Sequence, residues 1–332
     1  MVSGPSPRTV EKGVLAVLAG VPLDEAAAQV PMEPTALADA AEQYQAAGYA
    51  ALEAGVGSRD WFQVHVRFPD WATAEQTAAT HLAPRIRRAE SAGTVASWWF
   101  IRKAPCWRLR FQPGPAADIG QWKASIARML DSMLSESLIA RWWETVYEPE
   151  KFAFGGPVGM DAAHRLFHAD SRGFLDYLCR HDPGAPPERR IERRELSVLL
   201  LSLLMRGAGQ EWFEQGDVWS RVAERRPLPP GTPLDRLPGM KPGLRRLMTV
   251  DTSASSTLMK NGGSLAFIAD WAAAFEAAGQ ALGKAARDGE LGRGARALLA
   301  HHVIFHWNRI GLPTRAQAIL AMAAREVALG EG

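Results

Sequence analysis

An α+β fold is what this chain predicts: a small N-terminal helical module, then a β-sheet region, then a largely helical C-terminal half. Three observations carry that reading. Between Thr9 and Gly55 the apolar side chains recur at helical spacing. Trp61–Phe68, WFQVHVRF, alternates apolar and polar side chains as a half-buried strand does. From Met160 onward a period near 3.6 returns in one segment after another.

The 332 residues suffice to bury one full core with a smaller appendage. The boundary falls where helical spacing gives way to alternation, which makes residues 1–57 a helical module and residues 58–332 a second, larger domain. Within the module, helices are expected around Val14–Leu18, Leu23–Val30 and Leu37–Leu52, with turns at Gly20-Val21-Pro22 and Pro31–Pro34. The outline is that of a helix-turn-helix. Its last helix, however, is Ala-rich and nearly devoid of Lys and Arg, so it offers nothing to phosphates or base edges. A docking or dimerising role fits better, which leaves a homodimer open and predicts no nucleic-acid partner.

After the first strand, closed by Pro69-Asp70, a helix is predicted over Thr73–Ala92. WWFIRK and WRLRFQ then form two β pieces around Ala104-Pro105, and the second sets Arg108 and Arg110 on one face against Trp107, Leu109 and Phe111 on the other. A helix over Ile119–Ser135 and a β segment over Trp142–Tyr147 complete this layer. Helices are predicted over Met160–Tyr177, Arg193–Gly207, Glu211–Arg225, Leu265–Arg287, Leu291–Trp307 and Arg315–Leu329, with the Pro-rich Arg226–Pro242 as a surface loop.

Composition excludes several classes of function. No apolar run approaches the roughly 18 residues a membrane span requires, so no membrane partner is expected. The opening MVSGPSPRTVEKG lacks a basic stretch followed by an apolar one, which predicts a cytoplasmic protein. Cys106 and Cys179 belong to no CxxC pair, as in a reducing compartment. A net charge of +2 argues against generic binding to nucleic acid. Local clusters, Arg85, Arg87, Arg88 and Arg189, Arg190, Arg193, Arg194, read either as solvated helix faces or as seats for an acidic peptide.

The densest chemistry lies in LLAHHVIFHWNRIGL, ending at Leu312, which holds three of the eight histidines. His302 and His306 are one turn apart and share a face, His301 points elsewhere, and Asn308-Arg309 closes a helix expected to end at a cleft. A second i, i+4 pair is His164 with His168, followed by Asp170 and by Ser171, which reads as a helix cap. Arg165 and Val303 stand where a zinc protease would carry glutamate, so neither pair predicts a metal. Nucleophile elbows and phosphate-cradling loops are also missing from the sequence, and no cofactor is expected. Tyr147-Glu148-Pro149-Glu150 and Phe154-Gly155-Gly156-Pro157 complete the candidate set.

In order along the chain, WFQVHVRFPDW, WWFIRKAPCWRLRF, VYEPEKFAFGGPVGM, AHRLFHADS, RRELSVLLLSLLMRGAGQEWFEQGDVW and HHVIFHWNRIGLP resemble the thiopeptide-type bacteriocin biosynthesis family, itself similar to the C-terminal elimination domain of lantibiotic dehydratases. The resemblance runs through nearly the whole chain. It implies a ribosomally made, leader-bearing precursor peptide as substrate, a glutamylating dehydratase among the pathway partners, and one of two chemistries. One is a formal [4+2] cycloaddition of two dehydroalanines, which makes the thiopeptide pyridine and releases water and leader peptide. The other is glutamate elimination from O-glutamylated Ser or Thr. A non-catalytic partner that presents the peptide is a third reading.

Eliminating domains resemble a Tyr-Glu-Arg-Glu run followed by Arg-Tyr-Gly-Gly, and here Pro149 and Ala153 replace both arginines. Their catalytic histidine stands four residues before Asn-Arg, where this chain has Ile304, with His301 one turn earlier. These departures favour cycloaddition, whose demands are proximity and proton transfer. The expected catalytic groups are Tyr147, His302 and His306 for proton transfer, with Glu148 and Glu150 as bases or orienters. Arg108, Arg110 and Arg309 are expected to anchor carbonyls or peptide, and His164, His168, Asp170, His301 and Asn308 to make further substrate contacts.

Overall fold

The computed structural model describes residues 5–59, 61–115, 118–180, 191–233, 237–253, 256–260 and 262–330. The chain divides into two compact units, Met1–Asp60 and Trp61–Gly332. In the first, α1 (Pro7–Leu18), α2 (Leu23–Ala28) and α3 (Pro34–Arg59) close on Val14, Ala26, Ala27, Val30, Leu37 and Ala41. Pro7 suits the first turn of α1 because its missing N–H would have had no partner there, and the Ser6 hydroxyl accepts from Thr9 N–H. Gly13 lets α1 approach closely, since a Cβ there would sit 2.9 Å from Val30 Cγ2.

The larger unit is built on a four-stranded antiparallel sheet of β1 (Phe62–Arg67), β2 (Val95–Lys103), β3 (Cys106–Pro113) and β4 (Arg141–Thr145), in the spatial order β2-β3-β1-β4. Alternation divides its side chains as the sequence predicts. Phe62, Val64, Val66, Trp98, Phe100, Trp107, Leu109 and Phe111 enter the main core, while Gln63, His65, Trp99, Arg108, Arg110 and Trp143 take the other face. The β segment expected over Trp142–Tyr147 is shifted: β4 stops at Thr145, leaving Tyr147 beyond the strand.

Between β1 and β2 the predicted helix forms in three joined pieces, α4 (Ala74–Thr77), a π turn over Ala78–Leu82 and α5 (Ala83–Ser91). On the core side of the sheet lies α6 (Ile119–Ser135), whose Asp118 cap accepts from Gln121 N–H at 2.9 Å and which buries Trp122, Ile126, Leu130 and Met133. The rest is helical: α7 (Pro157–Arg180), α8 (Arg193–Gly207), α9 (Trp212–Arg225), α10 (Leu237–Thr249), α11 (Ala269–Arg287), α12 (Ala295–Arg309) and α13 (Thr314–Leu329). No described helix is long and apolar enough to cross a membrane.

The expected loop over Arg226–Pro242 is a correction. From Leu237 the chain is helical as α10, with Pro242 inside it. Pro238 falls in the first turn, where no N–H is missed, and burial of Leu237, Leu244 and Met248 against α8 and α13 offsets the bond lost at Pro242. Another correction concerns Ser171, which caps nothing. It lies in mid-α7, fully buried, and its hydroxyl accepts from Phe100 N–H at 3.1 Å.

Candidate functional site

Two polar clusters flank Trp99, and they differ in exposure. The first is sealed. Asp170 on α7 accepts from His306 Nδ1 at 2.9 Å and Trp271 Nε1 at 3.0 Å, and it pairs with the Arg309 guanidinium, whose Nε donates to the Phe100 carbonyl at 2.9 Å. Burial works to raise the Asp170 carboxyl, yet His306 and Arg309 hold it below its ordinary value. Asp170, His306 and Arg309 are only 1–2% exposed.

This corrects the expected opening at the end of α12. The helix buries Leu298, Leu299, Ala300, Val303 and Trp307 together with His302 and His306, so most of its circumference sits inside the core. Because β2 is an outer strand, its free backbone groups need partners, and α7 and α12 supply them. Ser171 takes Phe100 N–H, Arg309 takes Phe100 C=O, and His168 Nδ1 lies 3.2 Å from Trp98 N and 3.0 Å from Trp98 O. His168, Asp170, His306 and Arg309 thus spend hydrogen bonds on the fold.

The second cluster reaches the surface. Tyr147, just past β4, places its hydroxyl 2.8 Å from His164 Nε2 on α7, within walls formed by Trp61, Trp99, Phe154 and Phe167. The Arg110 guanidinium lies 4.0 Å from the Trp99 ring centre and 5.1 Å from that of Tyr147. Burial lowers Arg110 to about 10, with Tyr147 and Glu150 opposing. Burial also pushes the Tyr147 phenol well above its usual range and lowers His164 to about 4. At neutral pH the phenol therefore keeps its proton and the imidazole is uncharged; with the imidazole proton on Nδ1, Nε2 accepts a hydrogen bond from the phenol. His164 and Arg108 are partly exposed, and Glu150 is exposed.

The remaining candidates spread out. His302 is 2% exposed, packs on Phe154 at 4.9 Å between ring centres, finds no partner for either nitrogen, and is lowered by burial to about 3. The His301 Nδ1 lies 3.0 Å from the Ala297 carbonyl within its own helix, and Asn308 accepts from Gln317 Nε2 at 3.1 Å. Glu148 is exposed. Among the described residues, no group of three or more His, Cys, Asp or Glu side chains is arranged to hold a metal ion.

Residues 61–328 match the family described as "Lantibiotic biosynthesis dehydratase C-term". The chain belongs to that family. No curated protein matches it. Among solved structures, the tRNA-dependent lantibiotic dehydratase MibB from Microbispora sp. 107891 is similar with 18% identity and a TM-score of 0.61, over 81% of this chain and 28% of MibB. TsrL is similar at 15% identity and a TM-score of 0.52, over 80% of this chain and 94% of its own. TbtD, a pyridine synthase from thiomuracin biosynthesis, follows at 16% identity and a TM-score of 0.49, over 81% of this chain and 97% of TbtD. At these identities the likeness is one of fold, and this chain spans about a quarter of MibB's length.

Within this lantibiotic dehydratase C-terminal domain, several site residues escaped the reading of the sequence. Trp61, Gln63, His65 and Trp99 all belong to the Arg108–Arg110 face: the register pairs His65 with Arg108, Gln63 with Arg110, and Trp99 with Arg110. His65 is lowered by burial and then by both arginines. A signal was present, because Gln63 and His65 occupy the polar positions of the alternating strand, as Arg108 and Arg110 do in theirs. Strand pairing, which joins the two sets, is not written in either segment.

Proposed function

We propose that this domain matures a ribosomally made, leader-bearing antibiotic peptide, and that its reaction is the formal [4+2] joining of two dehydroalanines into a pyridine. The observation that carries the reading is the neutral Tyr147–His164 pair, held at 2.8 Å beside Arg110 within aromatic walls. A phenol that donates and an imidazole that accepts can pass a proton between amide nitrogen and oxygen without a net change of charge, which is what the imidic acid tautomer of the diene requires. Two carbon–carbon bonds then form. Water leaves from the former amide carbon, the leader departs as its amide from the second dehydroalanine, and aromatisation needs no oxidant. Proximity supplies much of the rate, on the order of 7–11 kcal/mol in favourable intramolecular cases. Arg108 and Arg110 anchor peptide carbonyls in this scheme, Glu150 acts on Arg110, and proton transfer moves from His302 and His306 to Tyr147 and His164.

A second reading is supported by one observation: among the described residues, neither Arg108 nor Arg110 forms an ion pair with a carboxylate, and two guanidinium groups without an anion suit the carboxylate of a glutamyl ester. Against elimination, it needs a base for the α-proton at neutral pH, and a histidine lowered to about 4 is a weak one. The experiment offers the purified protein a leader-bearing peptide with two preformed dehydroalanines and, separately, an O-glutamylated peptide. Mass spectrometry should show a ring and a freed leader amide from the first and no change in the second. Loss of glutamate from the second alone would establish elimination, and no change in either would refute both chemistries. In the pathway so conceived, the dehydroalanines come from a glutamylating dehydratase in the same cytoplasm.

A further inference from the structure

Most of the basic residues that stand out as clusters in the sequence are paired in the fold. Arg85 pairs with Glu136, Arg87 with Asp176 and Arg193 with Glu75, while Arg189 and Arg190 lie outside the described residues. Arg194 lies 3.9 Å from Glu195, and Arg88 has no carboxylate partner among the described residues; a larger set of uncompensated cations lies on the sheet. On the sheet face away from the main core, the register gathers Arg67, Lys103, Arg108, Arg110 and Arg141, and the four strands place no carboxylate there, since Glu144 points to the opposite face and pairs with Lys123. Among the described residues none of these five cations has a carboxylate within ion-pairing distance, although Glu150 acts on Arg110 from the loop beyond β4.

Two features mark the β4 side of this face. Arg67 and Arg141 are direct cross-strand partners, and like charges opposite each other destabilise a sheet unless an anion lies between them. Arg141 also stacks on Trp143, with 5.1 Å between guanidinium and ring centre, which holds it on that face. The second feature is the edge itself. β2 has its outward groups taken by His168, Ser171 and Arg309, whereas β4 bonds only to β1 among the described residues, so its other side presents free N–H and C=O groups. From Trp143 the chain reaches Tyr147 in four residues, roughly 13 Å of extended backbone.

We propose that an acidic, extended segment of the precursor peptide adds to β4 as a fifth strand, with a carboxylate on the rung that Arg141 and Arg67 share and its chain running toward Tyr147 and His164. The proposal rests on the peptide-maturing reading above and names where that peptide is held. Strand addition uses the free backbone groups, while the Arg67–Arg141 rung selects a carboxylate on that face of the added strand. Nucleic acid, the other common polyanion, would use the charges but not the edge.

The test is fluorescence anisotropy with the full chain and a labelled octapeptide of alternating Glu and Thr. The matched probes are a Lys-Thr octapeptide, the Glu-Thr peptide N-methylated at alternate positions on the edge-facing side, and an eight-nucleotide oligo-dT. Expected is binding by the Glu-Thr peptide that weakens about tenfold or more on N-methylation and in the double variant Arg67→Glu/Arg141→Glu, with the Lys-Thr peptide gaining affinity for that variant. N-methylation tests the edge in the unaltered protein, so the proposal does not depend on the variant's folding. Equal binding of the methylated peptide overturns it, and so does full displacement of the peptide by oligo-dT together with indifference to methylation. A chain dimer that is dissolved by the double variant and unmoved by the peptide would assign the edge to a second copy and also overturn it. Tyr147→Phe should keep peptide affinity, so binding without turnover counts against the chemistry alone, and turnover without such binding counts against the docking alone.

Discussion

The two polar clusters on either side of Trp99 contain similar residue types and have opposite characters. Around Asp170 the carboxylate is shared by His306, Arg309 and Trp271, and the groups are sealed from solvent. Around Arg110 the cation faces aromatic rings without an ion-pair partner, and a Tyr–His pair stands at the edge of the packing. The difference teaches that titratable density alone does not locate a catalyst. A buried network with its charges paired specifies how helices dock on a strand, whereas a cation without a carboxylate among the described residues leaves its charge to whatever the site binds.

The comparison breaks most directly at Asp170. Asp170→Ala leaves Arg309 and His306 buried without their anion and should cost about 3–5 kcal/mol in denaturant unfolding; a loss under about 1 kcal/mol would show that the network is not structural.

Next in size is an acid response. An unfolded histidine takes up its proton near 6.5, whereas burial delays uptake until about 4 for His164 and about 3 for His302. Between those values the unfolded chain binds more protons, so stability is fully present above about pH 6.5 and falls as the pH drops below it. By pH 4 the His302 share is about 3 kcal/mol, at roughly 1.36 kcal/mol per pH unit. Urea midpoints from pH 7 to pH 4 should therefore decline less steeply in His302→Leu, and an unchanged slope would refute its buried neutral state.

Tyr147→Phe sharpens the contrast from the other side. It should lower turnover of the two-dehydroalanine peptide about 100-fold while lowering stability by no more than about 1.5 kcal/mol, the net worth of one hydrogen bond. A variant that melts early yet turns over normally would move Tyr147 into the structural class. The smallest effect on activity is expected at Ser171, where alanine strands the Phe100 N–H at a stability cost of about 1–3 kcal/mol. Activity per folded molecule should then stay level, checked by active-site titration alongside the melt.

Particular elements explain how far the sequence could be read. α6 and α9 carry local caps and one-sided apolar spacing, so both were visible without tertiary knowledge. α10 was not, because Pro238, Gly239, Pro242 and Gly243 signal a loop and the burial that overrides them comes from α8 and α13. In the site, the Arg108–Arg110 face followed from alternation, as did the closeness of Tyr147 to the sheet. The role of Arg309 did not follow, because its partner Asp170 lies 139 positions away in the chain.

What the sequence by itself determined, through period and alternation, is which residues form strands and helices and which side chains share a face, since those follow from local backbone geometry. Family membership, carried by ordered motifs, was legible in the same way. Only the tertiary structure decided which titratable groups find partners. That depends on strand order and on which helix covers which edge: α7 and α12 close β2 and consume the most conspicuous histidines and arginine, while β4, with Arg67, Arg141 and the approach to Tyr147, bonds among the described residues to β1 alone. Non-local pairing of this kind is set by core packing summed over the whole unit, and no window of the sequence contains it.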